Sequence, residues 1–358
     1  MSQLTLVGPL SHPAMLEALD ISGRAVILNG RLSGGQRAGL HRDGWPILRS
    51  GDGELPAVEA VPTLALRRYA EVLGLNAQDW QGRRVMGAFL HGPDGAPWTA
   101  DCWLPDLAAG LARAILDQPD RLSSAEIAQR LPSIAGWVDA QLRAAQEARP
   151  DFPKQRDGES FRVMHRAQPY AGFFAVEEWD LSHRRHDGTW SQQMHRSALV
   201  TADAAVVLPW DMRRDRVLVI EQFRFAPALR SDRQPWLLEP IAGRVDAGET
   251  PESAVVREAM EEAGLRLQRL IPAVSIYPSP GALAEYLYLF VAPVDLPDNA
   301  VGTFGLVSEA EDIRTHLMDR STLTQMALAG ELPNGPLTTL ALWLDARAAD
   351  LQVELRYS

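Results

Sequence analysis

Residues 243–265, GRVDAGETPESAVVREAMEEAGL, commit the chain to a turn followed by a helix. Thr250 can cap the first turn, and Pro251 suits the first helical position, where no backbone N–H is needed. Glu252 lies where the helix dipole favours negative charge, and Gly264 fits a left-handed C-terminal cap. At about 100° per residue, Val255, Val256, Ala259, Met260 and Ala263 share one side, which is expected to pack on a sheet. Glu258, Glu261 and Glu262 gather on the other. Carboxylates at such spacing repel one another by roughly a few tenths of a kcal/mol per pair. Two readings follow: a solvated acidic face, or a site for a hard cation, since Mg2+ is held by carboxylates together with substrate phosphate.

What flanks this helix sets the fold class. Strand-like runs at 173–180, 204–209, 217–222 and 284–292, with a last helix over 337–348, predict an α/β sandwich for the second half. The first half differs in texture. Residues 1–104 are rich in Gly and Pro, with β-like runs at 24–28 and 83–90 separated by turn clusters at 30–39 and 51–56. From 105 to 149, apolar residues such as Leu107, Leu111, Ile115, Ile127, Leu131, Ile134 and Val138 recur at helical spacing. The pattern stops at Pro150-Asp151-Phe152-Pro153. At 358 residues the chain is long for one core. The expected organisation is a small β-rich α+β domain over 1–104, a helical connector over 105–149, and an α/β/α sandwich with a mixed sheet over 150–358.

The spacing in 243–265 resembles the box of the Nudix hydrolases: Gly, five residues, Glu, seven residues, Arg-Glu-apolar, one residue, Glu-Glu, one residue, Gly-apolar. Gly243, Glu249, Arg257, Glu258, Ala259, Glu261, Glu262, Gly264 and Leu265 fill it, with Ala259 smaller than the usual aliphatic. Flanking segments resemble the bacterial ADP-ribose pyrophosphatase branch. They include Tyr170-Ala171-Gly172-Phe173-Phe174, Glu221-Gln222-Phe223-Arg224 and Pro235-Trp236-Leu237-Leu238-Glu239. Ser279-Pro280-Gly281 and Ser308-Glu309-Ala310-Glu311-Asp312-Ile313-Arg314 continue the likeness, which spans about residues 152–350. Pro280 stands where diadenosine polyphosphate hydrolases carry Tyr, and no coenzyme A motif precedes the box.

That resemblance implies an enzyme, with a role for each matching residue. Glu258 and Glu262 would ligate Mg2+, or Mn2+ in its place, helped by the main-chain carbonyl of Ala242 and by Glu311 once substrate is bound. Glu309 matches the general base, with Glu261 the next candidate. Arg224 matches a phosphate contact and Glu285 lies near the terminal ribose. Phe173 and Arg196 match residues that hold the adenine end across a homodimer interface. The chemistry accounts for these residue types. A pyrophosphate repels hydroxide, so cations must neutralise developing charge and a carboxylate must take the proton of the attacking water. The implied reaction is cleavage of ADP-ribose to AMP and ribose 5-phosphate. Rival readings are a broader NDP-sugar hydrolase and a nucleotide sensor that binds without cleaving, although a sensor would usually have lost acidic box residues.

Val7-Gly8-Pro9-Leu10-Ser11 more faintly resembles the opening of gamma-glutamylcyclotransferase-like (AIG2-like) domains. There Val7 replaces their Tyr and Pro9 their Thr or Ser, and Glu71 falls one place late after Tyr69. The first domain is therefore expected to be a degenerate, inactive copy.

A formal charge of −11 excludes a general affinity for nucleic acid or anionic membranes. Cys102, the single cysteine, permits no internal disulfide and is expected to be a buried, inert thiol. The N-terminus lacks the basic start of a signal peptide, no run is long and apolar enough to span a bilayer, and a cytoplasmic protein is expected.

Overall fold

The computed structural model describes residues 3–148, 158–306 and 311–355, and it divides into two compact units, residues 1–201 and 202–358. In the first unit, β1 (Leu4–Val7), α1 (Pro13–Ala18), β2 (Gly23–Ser33), β3 (Ile47–Ala60), α2 (Leu64–Leu73), β4 (Gln78–Trp80) and β5 (Arg83–Met86) come first. Their strands form a mixed sheet in the order β2-β3-β1-β5-β4, in which β1 and β5 run parallel. The expected strand over 83–90 ends early, at Gly87. Its φ is +110°, and a β-carbon there would stand 2.4 Å from the Val7 carbonyl oxygen.

Three helices follow: α3 (Pro105–Leu116), α4 (Ser124–Gln129) and α5 (Leu131–Gln146). Leu107, Leu111, Ile115, Ile127, Leu131 and Val138 are buried, as their spacing implies. Cys102 is half-buried, with its thiol bonded to the Thr99 carbonyl at 3.0 Å. Next comes an antiparallel meander of β6 (Phe161–Ala171), β7 (Ala175–His183) and β8 (Met194–Val200). The strand expected from 173 begins at Ala175, which leaves Phe173 in the turn before it. Arg121 donates to the Gln168 and Pro169 carbonyls at 2.8 and 3.2 Å, and Arg130 reaches the Gln168 side chain. These bonds tie β6 to the helices.

The second unit holds β9 (Ala204–Asp211), β10 (Arg216–Phe223), α6 (Phe225–Leu229), β11 (Trp236–Glu239), β12 (Ile241–Arg244) and α7 (Pro251–Ala263). It continues with β13 (Ile271–Ile276), β14 (Leu283–Ala284), β15 (Leu287–Pro293), β16 (Thr303–Phe304), β17 (Ile313–Asp319), α8 (Arg320–Ala329) and α9 (Gly335–Glu354). The sheet runs β13-β15-β9-β10-β17-β16, with β11 on β10, β12 on β9, and β15 parallel to β9. Alternation along the strands fills both faces. Ala205, Val207, Leu218, Ile220 and Phe290 meet Ala254, Val255, Ala259 and Ala263 of α7. Val206, Leu208, Val217, Val219 and Leu289 meet Leu337, Leu340, Leu344 and Leu351 of α9. This is the α/β/α sandwich with a mixed sheet that the sequence implies.

The side of α7 that is buried differs from the apolar wheel. Val256 and Met260 are 39% and 42% exposed, whereas Ala254 and Glu262 are buried. The helix is rotated so that acidic residues meet the sheet, for reasons found in the site. Among the described residues, no helix is long and apolar enough to cross a membrane.

Candidate active site

The turn and helix of 243–264 are pinned by local bonds. The Thr250 hydroxyl accepts from Ser253 N at 3.1 Å, and Gly264 closes the helix with φ +62°. Arg257 then acts as the hub. Its Nε and Nη2 each meet a Glu249 oxygen at 3.0 Å, and Nη2 also donates to the Arg244 carbonyl at 3.0 Å. Its Nη1 reaches Glu258 at 2.7 Å and Glu261 at 3.2 Å. One guanidinium thus clamps the turn to the helix and partly neutralises two of its carboxylates, which explains why Glu and Arg recur eight residues apart. The sequence reading gave Arg257 no role of its own.

Two box residues compete for one volume. A β-carbon on Gly243 would stand 1.7 Å from Oε1 of Glu258, so the Glu258 side chain occupies the space that any other residue at 243 would fill. Glu262, expected on the solvent side, is only 2% exposed and accepts a hydrogen bond from Ala242 N at 3.2 Å. Burial, with the Glu258 and Glu311 charges adding to it, pushes the Glu262 carboxyl up to about 9 against the pull of Ala242 N–H and Arg224. Burial likewise raises Glu258 to about 6, with Arg257 pulling down and Glu261 and Glu311 pushing up. Glu311 lies beside Gly305 and accepts from Leu306 N at 3.2 Å.

Glu258, Glu261, Glu262 and Glu311 therefore form one electrostatically coupled group, and Arg224 is charged within reach of Glu262 and Glu311. Arg224 is held by Glu239 through Nε at 2.9 Å and Nη2 at 2.6 Å. Glu239 was not foreseen; its partner lies fifteen residues away, across β10 and β11.

Among the described residues no three His, Cys, Asp or Glu side chains converge as a formed ion cage. The carboxylates are turned to Arg257, Ala242 N and Leu306 N instead. The donor set nevertheless fits a hard divalent cation: hard oxygens, clustered and mutually repelling, one deeply buried. Glu258, Glu262, Glu311 and the Ala242 carbonyl could hold it.

The remaining expected residues are less gathered. Glu285 lies between β14 and β15, where burial raises its carboxyl while Arg244 pulls it down and Asp203 pushes it up. Phe173 and Arg196 belong to the other unit. Phe173 is 70% exposed and packs edge-on to Phe174 at 4.8 Å, and Arg196 stands opposite Trp179 in the β7–β8 register. Glu309 lies outside the described residues.

Known proteins resemble this chain over its second half. Residues 200–332 match the NUDIX domain. The chain is 37% identical over 192 residues to an ADP-ribose pyrophosphatase of Escherichia coli K12, covering 54% of this chain and 91% of that protein. It is 37% identical over 185 residues to the ADP-ribose pyrophosphatase of Haemophilus influenzae, covering 51% and 85%. A GDP-mannose pyrophosphatase of Yersinia pestis is 28% identical over 141 residues, covering 39% and 70%.

Proposed function

This chain belongs to the Nudix family and is a hydrolase acting on pyrophosphate bonds, and on that footing we propose that it cleaves ADP-ribose to AMP and ribose 5-phosphate in a Mg2+-dependent reaction. The observation that carries the reading is the coupled group of Glu258, Glu262 and Glu311 with Arg224 beside it. Likeness to ADP-ribose pyrophosphatases over nine-tenths of their length supports the choice of substrate.

Glu258, Glu262, Glu311 and the Ala242 carbonyl would hold the cation, Mg2+ or Mn2+ in its place. The chemistry it would supply is neutralisation of charge on the pyrophosphate and activation of the attacking water. The protein's own groups do the rest. Arg224 donates to a phosphate oxygen, and Glu309, or failing it Glu261, takes the proton of the water as its oxygen bonds to phosphorus. The bridging P–O bond breaks and the leaving phosphate departs with its electron pair. Glu285 contacts the terminal ribose.

A broader NDP-sugar hydrolase is the second reading, favoured by the likeness to GDP-mannose pyrophosphatase. Phosphate release coupled to a phosphatase, across ADP-ribose, GDP-mannose, other NDP-sugars and dinucleotides, decides between them. A clear preference for ADP-ribose in kcat/KM supports the first reading; equal turnover of several NDP-sugars selects the second. Tight binding without turnover would mean a sensor. The protein acts in the cytoplasm as a homodimer in which Phe173 and Arg196 hold adenine in a neighbour's site. Sedimentation of a fully active monomer would overturn the dimer. The N-terminal domain, residues 1–104, is a degenerate AIG2-like domain.

A further inference from the structure

Glu239 is a buried carboxylate, 4% exposed, at the end of β11. In register it stands opposite Ile220, which packs against α7, so Glu239 and Gln222 face the same side of the sheet as α7. Gln222 is itself buried and donates its Nε2 to Glu239 at 3.2 Å. From the other side Arg224 meets the same carboxylate through Nε and Nη2. A buried ion pair is weak evidence for stability, because well-packed apolar side chains of similar size usually serve the fold as well or better. Its geometry does something apolar residues cannot do. With Nε and Nη2 both engaged, the Arg224 fork cannot rotate, and its remaining Nη1 makes no hydrogen bond among the described residues. The side chain is 42% exposed, which leaves part of it open to a ligand.

We propose that Glu239 is a positioning residue: it fixes the Arg224 guanidinium so that the Nη1 edge meets the phosphate of the nucleotide sugar. Gln222 holds the carboxylate in turn. The inference rests on the reading of Arg224 as a phosphate contact. Without Glu239 the guanidinium would sample many rotamers, and in the neighbourhood of Glu262 and Glu311 it would be drawn toward their carboxylates. A phosphate would then have to displace that contact before binding.

The test is a double-mutant cycle on the full chain, with ADP-ribose as substrate and Mg2+ titrated for each variant. Arg224→Ala should raise KM by about tenfold or more, the loss of a charge-assisted contact. Glu239→Gln should reproduce most of that rise and leave the Mg2+ half-saturation unchanged. The double variant should be no worse than Arg224→Ala, because Glu239 acts only through Arg224. Gln222→Leu, which removes one support of the carboxylate and keeps the volume, should raise KM a few-fold with an unaltered melting curve. It also keeps the test valid if Glu239→Gln unfolds. Impaired Arg224→Ala beside wild-type KM in Glu239→Gln or Gln222→Leu overturns the positioning role alone. So do effects of Glu239→Gln and Arg224→Ala that multiply. Wild-type KM in Arg224→Ala overturns the phosphate contact, and the positioning role with it.

Discussion

Gly243 and Glu258 share one volume: a β-carbon on the first would lie 1.7 Å from a carboxylate oxygen of the second. The glycine of the box is thus required by the space of a neighbouring side chain. Gly243→Ala should leave the fold intact, because the obstructing atoms belong to a side chain that can swing away. Turnover should fall by about a hundredfold or more, through displacement of Glu258. Steady-state kinetics beside a thermal melt checks this. A variant with wild-type turnover would show that Glu258 need not occupy that position.

Metal binding should be visible in stability. Glu262 is buried among like charges, so a divalent cation that binds only the folded protein must raise its melting temperature. At about a hundred times Kd the linkage is worth about 2.7 kcal/mol. Mg2+ should therefore shift the melt of the wild type by several degrees and that of Glu262→Gln by far less, and chelation should reverse the shift. Equal shifts in both proteins would place the cation elsewhere.

Glu309 and Glu311 should separate kinetically. Glu309→Gln removes a proton acceptor and spares a ligand, so kcat should drop strongly with little change in the Mg2+ needed for half activity. Glu311→Gln should raise that Mg2+ requirement. Titration of both variants with ADP-ribose reads the difference, and exchanged behaviours would reverse the two roles.

The second unit should also show an acid-labile support at the turn before β10. Arg320 grips Asp215 through Nε at 2.8 Å and Nη2 at 2.9 Å, and the Trp210 indole donates to it at 3.1 Å. Burial pushes the Asp215 carboxyl up, but Arg320 and Trp210 outweigh it and hold it below the usual range. A carboxyl with a depressed folded-state value stabilises the fold above its unfolded value, and the contribution fades as pH falls through the folded one. Asp215→Asn suits the left-handed φ of +48° at this residue and should lower the melting temperature at pH 7. The gap from wild type should narrow below about pH 4. A gap constant down to pH 2 would mean that the charge of Asp215 is irrelevant.

Legibility in the sequence followed the range of the interaction. The caps of α7 were readable because Thr250, Pro251 and Gly264 act within a turn of their own backbone. The strands β9 and β10 were readable because a short run rich in valine and leucine, bounded by turn residues, is a local signal. The rotation of α7 was not, since an apolar wheel places Val256 and Met260 inward and cannot know that Ala242 N–H awaits Glu262. The Arg257 hub was present in the spacing of the box, yet only the folded turn shows that Glu249, Glu258 and Glu261 converge on it. The Arg224–Glu239 pair depends on the pairing of β10 with β11, which no local pattern announces.

The bonds from Arg121 and Arg130 to Gln168 and Pro169 bear on how such a gene can be cut and rejoined. The match to the shorter pyrophosphatases is longer than residues 202–358 alone can supply, so part of it falls on the meander that groups here with the N-terminal helices. The stretch that aligns as an enzyme and the stretch that coheres as a body therefore have different edges. Excising residues 1–148 would strip β6 of its guanidinium anchors, and a recombination joint at 150 would sever a physical module that the alignment does not reveal. The two units part near residue 201, inside the stretch that aligns with the pyrophosphatases, so a cut there would take from the enzyme the meander that carries Phe173 and Arg196.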